Sequence, residues 1–293
     1  MIPDPIASLL RRLDLEDLGD DRFRGDNEPN DWGRLFGGMV AAQALAAAQL
    51  TVERTHSAHS LHAYFLRAGD PDLDVILSVD RIRDGSSFIT RRVVAEQKGA
   101  AIFNLSASFH IAEESFEHAF EMPDVGKPQD HPTWAELAAP MVEQLPKHLQ
   151  KRMTQVRPIE QRFTRTPTFL GGGNSDGPND VWFRATAALP EDPRIHQAVL
   201  TYASDMSLLD NMVRPHASGI ERGNVMMASL DHAIWYHQPS VRADQWMLYH
   251  QDSPAAAGAR GFTRGTIYAQ DGTLVASVAQ EGLMRKVDMR KRT

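Results

Sequence analysis

The sequence predicts an α+β chain made of two copies of one domain, each an antiparallel sheet wrapped around a single central helix. Three observations carry that expectation. First, the text nearly repeats itself. Ser60-Leu61-His62-Ala63-Tyr64-Phe65, Arg83-Asp84-Gly85-Ser86-Ser87-Phe88 and Lys98-Gly99-Ala100-Ala101-Ile102-Phe103 return as Ser229-Leu230-Asp231-His232-Ala233-Ile234-Trp235, Ala259-Arg260-Gly261-Phe262 and Gln270-Asp271-Gly272-Thr273-Leu274-Val275. An offset of roughly 170 residues is far above solenoid or propeller periods and marks a duplicated domain. Second, each half places an alanine-rich or apolar helical stretch ahead of its strands. Third, short hairpin turns separate those strands, which makes them antiparallel neighbours.

Taken in order, residues 37–52 (GGMVAAQALAAAQLTV) are apolar on nearly every side and predict a buried helix. Runs at 57–67, 73–83, 87–97 and 101–111 are rich in Val, Ile, Phe and Tyr, with turn dipeptides Asp84-Gly85 and Lys98-Gly99 between them. One helix placed before such a sheet predicts that the sheet curls around it. From 113 to 154 the text becomes Glu/His/Pro-rich, which is linker composition with one possible helix at 133–152. A strand at 158–163, a Gly/Asn/Pro loop at 171–180 and a strand at 181–188 open the second half. Residues 194–213 read as the second central helix with its approach, and strands at 230–238, 245–251, 260–270 and 273–285 complete the second sheet. The implied domains are 1–112 and 155–293, joined by the 113–154 linker.

Composition narrows the function classes. Hydrophobic content of 42% and charged content of 24% are those of a water-soluble globular chain. No apolar run approaches the ~18 residues of a membrane span, so no membrane partner is expected. The N-terminal text around Leu9-Leu10-Arg11-Arg12 is amphipathic and lacks the apolar core of a signal peptide, so cytoplasmic residence is expected. The absence of cysteine removes disulfides, thiolate metal sites and a cysteine nucleophile. A net charge of −7 argues against nucleic acid as a partner. It leaves room for a small anionic ligand on Arg81, Arg83, Arg91, Arg92, Arg260 or Arg264, although arginines on strands are usually solvated.

Some motifs read as decoys. Gly173-Asn174-Ser175-Asp176-Gly177 spells a hydrolase nucleophile turn, yet that turn joins a strand to a helix and this one lies in a loop running into a strand. His56, His59 and His62 could suggest a metal, but on a strand His59 and His62 face opposite ways and no carboxylate accompanies them. Asn104-Leu105-Ser106 is a glycosylation sequon by spelling only. Polar residues inside apolar elements are better candidates. Asp205 interrupts residues 202–209 (YASDMSLL) near the expected start of the second helix, where a carboxylate can cap free N–H groups. Gln280 lies in a strand of small apolar residues, and Ser229 precedes the strand Leu230 to Tyr236. Capping, edge exposure and turn formation are the plain readings of these three.

Together the segments resemble a family. Arg22-Phe23-Arg24-Gly25, Phe36-Gly37-Gly38, residues 59–67 (HSLHAYFLR), 83–88 (RDGSSF), Ala107-Ser108-Phe109, Tyr202-Ala203-Ser204-Asp205, residues 230–237 (LDHAIWYH) and 280–285 (QEGLMR) occur in the order and spacing of acyl-CoA thioesterase II, a double-hotdog thioesterase. The resemblance implies a tandem double hotdog that hydrolyses acyl-CoA to free acid and CoA. It further implies that Asp205, Ser229 and Gln280 hold the hydrolytic water, with Ser229 where better-known members carry Thr. That exchange keeps the hydroxyl and loses the β-branch stiffness.

The chemistry suits those residues: a thioester is activated enough for an oriented water, with Asp205 as base or orienter and Ser229 and Gln280 fixing its direction. A backbone N–H at a central helix terminus can stabilise the oxyanion. No cofactor or metal is expected, and the partner is the acyl-CoA substrate. The resemblance also implies a homo-oligomer, dimer or tetramer. Overlaying the repeats sets Gly38 against Asp205, Ala107 against Gln280, and His59 or Ser60 against Ser229, so one working site per chain is expected. Two alternatives remain open at this stage: a non-catalytic acyl-CoA or lipid-binding protein, and a hotdog enoyl-CoA hydratase, which would pair an Asp with a His on the helix, where Asp210 stands instead.

Overall fold

Asp4 caps the first helix by accepting from the Ile6 N–H at 2.9 Å, and Pro5 supplies a preset φ at its first position. This helix, α1 (Pro5–Leu13), buries Ile6 and Leu9 against the core. The fold belongs to a computed structural model that describes residues 4–27, 33–142, 150, 154–220 and 224–287. Two short strands follow, β1 (Glu16–Gly19) and β2 (Arg22–Gly25), joined through Asp20 and Asp21, both at φ 54°. The sequence reading did not anticipate this hairpin, since four residues per strand carry too little alternation to register.

The central helix of the first half is α2 (Gly37–Leu50), with eleven residues buried from Gly38 to Gln49. Alanines at positions 41, 42, 44, 47 and 48 let backbone approach on every side, which suits a helix enclosed by a sheet and by another helix. Four long strands wrap it: β3 (His56–Phe65), β4 (Val75–Asp84), β5 (Phe88–Gln97) and β6 (Ala100–Ile111). Lys98 and Gly99 turn β5 into β6 with φ of 51° and 74°, the left-handed pair that two-residue hairpins require.

Residues 112–127 carry no regular secondary structure. The expected linker helix is shorter than the 133–152 window: α3 spans Trp134–Val142, and residues 143–149 and 151–153 lie outside the described residues. Trp134 packs on Phe163 and Phe169, with ring centroids 6.3 and 5.1 Å away, so α3 docks on the second half.

The second half runs β7 (Ile159–Phe163), β8 (Asn179–Ala185), α4 (Pro193–Ser204), α5 (Leu208–Val213), β9 (Val225–Ser229), β10 (Asp231–Tyr236), β11 (Met247–Ala257), β12 (Arg260–Ala269) and β13 (Leu274–Lys286). The expected single helix at 194–213 is therefore two helices, broken at Asp205–Ser207. Ser204, Asp205 and Ser207 offer side-chain hydrogen bonds that compete with a continuous helix.

All paired strands are antiparallel, in the order β1-β2-β4-β5-β6-β3-β10-β13-β12-β11-β8-β7, with β9 added beside β13. The halves meet where β3 pairs β10, from Asp231↔Tyr64 to Trp235↔Ser60. Two sheets joined edge to edge around internal helices form the tandem double hotdog. The helices also cross-link the halves: Arg194 donates to Gln49 O and Val52 O at 2.6 and 2.9 Å, closing the C-terminal end of α2.

Of the arginines considered as anion ligands, Arg81, Arg92, Arg260 and Arg264 pair with Asp21, Asp80, Glu281 and Asp252 on exposed strand surface, where such pairs contribute little. Arg83 is exposed on β4. Arg91 differs: its side chain is 1% exposed, on the core face of β5. It donates to Thr51 Oγ1 at 2.8 Å, to Thr51 O at 3.1 Å and to Arg83 O at 3.1 Å, and it pairs with Asp84. The guanidinium thus caps the C-terminal end of α2 from the sheet. Arg91→Leu should destabilise by about 2–3 kcal/mol, because it strands buried acceptors at the end of a buried helix. A lowered urea midpoint with unchanged specific activity per folded molecule is the expected result; an unchanged midpoint would remove Arg91 from this role.

Candidate active site

The three residues singled out from sequence converge in space. Asp205 ends α4 as its C-cap, with φ −85° and ψ −3°. It therefore does not stand at the start of the second helix, and it does not cap that helix's own N–H groups as expected. Ser229 is the last residue of β9 rather than a turn residue, and β9 registers it opposite Gly282 on β13. Gln280 projects from the core face of β13 with no exposure, while Asp205 and Ser229 keep partial exposure. Gln280 Nε2 donates both of its protons, to Asp205 Oδ1 at 3.0 Å and to Ser229 Oγ at 2.7 Å. The nearby Ser229 hydroxyl also favours the ionised form of Asp205. The glutamine backbone is fixed in turn by Thr263, whose hydroxyl donates to Gln280 O at 3.0 Å.

The first half contributes what the second lacks. The N-cap of α2 is Phe36, which offers no side-chain cap. The Asp205 carboxylate lies at that end of α2 across the junction, where the Gly38 N–H favours its ionised form. The helix dipole that acts on Asp205 is therefore that of α2 in the opposite half, which stabilises negative charge there. Close approach requires glycine at this end of α2. A Cβ on Gly37 would sit 2.8 Å from Asp205 Oδ2 and 2.6 Å from a Phe65 ring carbon, and one on Gly38 would sit 2.5 Å from the Tyr202 carbonyl oxygen. Phe36 and Tyr202 meet edge to face at 5.1 Å, so aromatic surface flanks the carboxylate.

Burial is the largest influence on Asp205 and raises its carboxyl above the ordinary range, against the lowering effects of His232, the Gln280 amide, the Gly38 N–H and the Ser229 hydroxyl. A carboxylate held in this way takes up a proton more readily than a solvated one.

Sequence reasoning missed one member of the cluster. His232, on β10, is 1% exposed. Its Nδ1 lies 2.8 Å from Gln280 Oε1 and its Nε2 lies 2.8 Å from Ser204 Oγ. The signal was present: alternation along β10 puts His232 on the face of the buried Ile234 and Tyr236, where a titratable residue needs a reason.

The repeat gives the contrast. In the first half Leu61 on β3 faces Ala107 on β6, while in the second His232 on β10 faces Gln280 on β13. Both first-half residues are apolar and neither can orient a water.

The decoys sit apart from this cluster. Ser175 lies in a loop leading into β8, with its N–H donating to Arg214 O at 3.2 Å. His56 contacts Ser86 O, His59 contacts Ser108, and His62 packs against Trp235 at 5.1 Å.

Residues 148–283 match the acyl-CoA thioesterase family and residues 28–110 match the acyl-CoA thioesterase N-terminal domain. Acyl-CoA thioesterase 2 of Haemophilus influenzae is 34% identical, over 96% of this chain and 98% of its own length. Human acyl-coenzyme A thioesterase 8 is 40% identical, over 93% of this chain and 87% of its own length. The crystal structure of an acyl-CoA thioesterase II from Mycobacterium marinum superposes with a TM-score of 0.78 at 39% identity, covering 96% of this chain and 99% of that one.

Proposed function

The chain belongs to the acyl-CoA thioesterase family, and from that premise we propose that it hydrolyses acyl-CoA to a carboxylic acid and CoA with a water held by Asp205, Ser229 and Gln280. One observation carries the assignment: a fully buried amide whose two protons go to a carboxylate and a hydroxyl on different elements. That arrangement gives a water one strong acceptor and a fixed direction, which is the requirement for attack on an activated thioester without a covalent intermediate. Asp205 accepts the water proton as the O–C bond forms, and the carbonyl oxygen takes up negative charge beside the N-terminal end of α2. Collapse expels the CoA sulfur as thiolate, which recovers a proton and leaves the acid.

In this reading residues 155–293 are the domain that carries the reacting groups. Residues 1–112 supply the α2 terminus and one wall, and 113–154 links the two. Each chain then has one working site, because the overlay of the repeats sets Gly38 and Ala107, which cannot orient a water, against Asp205 and Gln280. The hydratase alternative needs a histidine with a nitrogen for substrate, and both nitrogens of His232 are engaged by Gln280 and Ser204. The binding-protein alternative leaves a half-buried carboxyl with a raised pKa without a purpose. Further association of the chain into dimers or tetramers, and cytoplasmic residence, belong to the same proposal.

Thiol release across a panel of acyl-CoA chain lengths tests the activity, and no release from any of them would favour the binding protein. The pH profile tests the base. Asp205 must be ionised to accept a proton, so kcat/KM should fall as pH drops through its carboxyl pKa. Because burial raises that value, the acid limb should lie above the ordinary Asp value of 3.8. A limb at or below 3.8 would assign the proton to another group.

A further inference from the structure

We propose that His232 is a positioning residue that holds the Gln280 side-chain amide in its working orientation; the proposal rests on the assignment of Gln280 to the hydrolytic water. The argument starts from the two ends of an amide. Oxygen and nitrogen have nearly the same shape, so sterics alone do not choose between the two flips of Gln280, whereas its partners do.

With Nε2 donating to Asp205 and Ser229, Oε1 faces His232 Nδ1 at 2.8 Å. An amide oxygen only accepts, so Nδ1 must carry a proton. Burial pushes His232 below its ordinary value, more than the neighbouring Asp205 and Asp231 and the Gln280 amide can offset. A neutral ring protonated on Nδ1 has an accepting Nε2 that faces the Ser204 hydroxyl at 2.8 Å, and the one proton of that hydroxyl has a second acceptor in Thr201 O at 2.9 Å. The donor direction then runs from His232 through Gln280 to Asp205 and Ser229.

Ser204, His232 and Gln280 are all essentially buried, so water is a poor substitute for any of these bonds. If Nδ1 were an acceptor, it would meet Oε1 with no proton between them. The amide would then be drawn to turn over and present its oxygen to the Asp205 carboxylate. A histidine is well suited to prevent that, because its ring is rigid and Gln280 Oε1, which only accepts, faces Nδ1.

The strand registers give a contrast between the halves. In the second half His232 faces Gln280, whereas in the first Leu61 is the residue facing Ala107, and His62, which aligns with His232 in the sequence repeat, pairs with Ser106 instead.

Two replacements separate the ring nitrogens. Asn at 232 can place an N–H near the Nδ1 position and keep the bond to Gln280 Oε1. Gln at 232 reaches instead toward Ser204 and loses that bond. His232→Gln should lower kcat by about tenfold or more with KM within about twofold, since orientation rather than substrate binding is lost. His232→Asn should recover most of that loss. On a Gln280→Ala background, His232→Gln should cost less than about twofold more, because the residue acts only through the amide.

Parental kcat in His232→Gln, or its full loss repeated on the Gln280→Ala background, would overturn the proposal while leaving the site assignment standing. Parental kcat in Gln280→Ala would overturn the assignment itself and the proposal with it. One measurement needs no variant to fold: long-range 15N–1H correlation spectra of the parent protein should show His232 as the neutral tautomer protonated on Nδ1. The opposite tautomer, protonated on Nε2, would contradict the donor direction outright.

Discussion

Asp205→Asn should lower kcat by about 10²-fold or more, the magnitude expected when a positioned general base is removed. The replacement keeps side-chain volume and removes the group that accepts the proton. It also introduces an N–H where the Gln280 Nε2 already donates and where the Gly38 N–H favours a carboxylate, so the Gln280 amide loses its charged acceptor. Ser229→Ala and Gln280→Ala should each lower kcat more than they raise KM. The losses should be non-additive, because residues that fix one water act as a unit. The measurement is thiol release on acyl-CoA, with a thermal melt to show that each variant is folded. Parental turnover in folded Asp205→Asn would refute the assignment.

Such a result would also separate what the amino-acid text carries from what only packing creates. The helix at 37–50 was legible because its alanines and apolar residues occupy every face, and the hairpins were legible from period-two runs closed by Asp84-Gly85 and Lys98-Gly99. The candidate residues were legible as polar interruptions: Gln280 sits among small apolar neighbours, and Asp205 lies inside an apolar helical stretch. β1, β2 and β9, at four to five residues, were not legible: the β1–β2 hairpin carries too little alternation, and β9 pairs with β13, about 50 residues along the chain. The break between α4 and α5 was missed for a related reason. Periodicity runs straight through 194–213, and the side-chain hydrogen bonds at Ser204 and Ser207 that compete with the helix go to His232 and Gln251, which only the fold brings near. The setting of Asp205 could not be read locally at all. Its N–H donor and its helix dipole come from α2, about 170 residues earlier, and no local pattern marks a helix terminus in one repeat as the cap for a carboxylate in the other.

That cross-half contact predicts a second large effect. Gly38→Ala should lose about 1–3 kcal/mol of stability and at least about tenfold in kcat. The stability loss follows from contact with a fixed atom. The new methyl would lie 2.5 Å from the Tyr202 carbonyl oxygen in the last turn of α4, and a backbone oxygen has no rotamer to escape into. One helix must therefore move from the other. The activity loss follows because that same approach brings the Gly38 N–H to Asp205. Separating α2 from α4 weakens the donor that steadies the carboxylate and withdraws the positive end of the helix from the place where oxyanion charge develops. Urea midpoints and kcat measured on the same preparation distinguish two cases. If the first half were only a scaffold, the midpoint would fall and kcat per folded molecule would hold. A fall in both, with KM changing less than kcat, is the expected outcome, because in the proposed mechanism the α2 terminus stabilises the transition state of a site whose side chains all come from the other half.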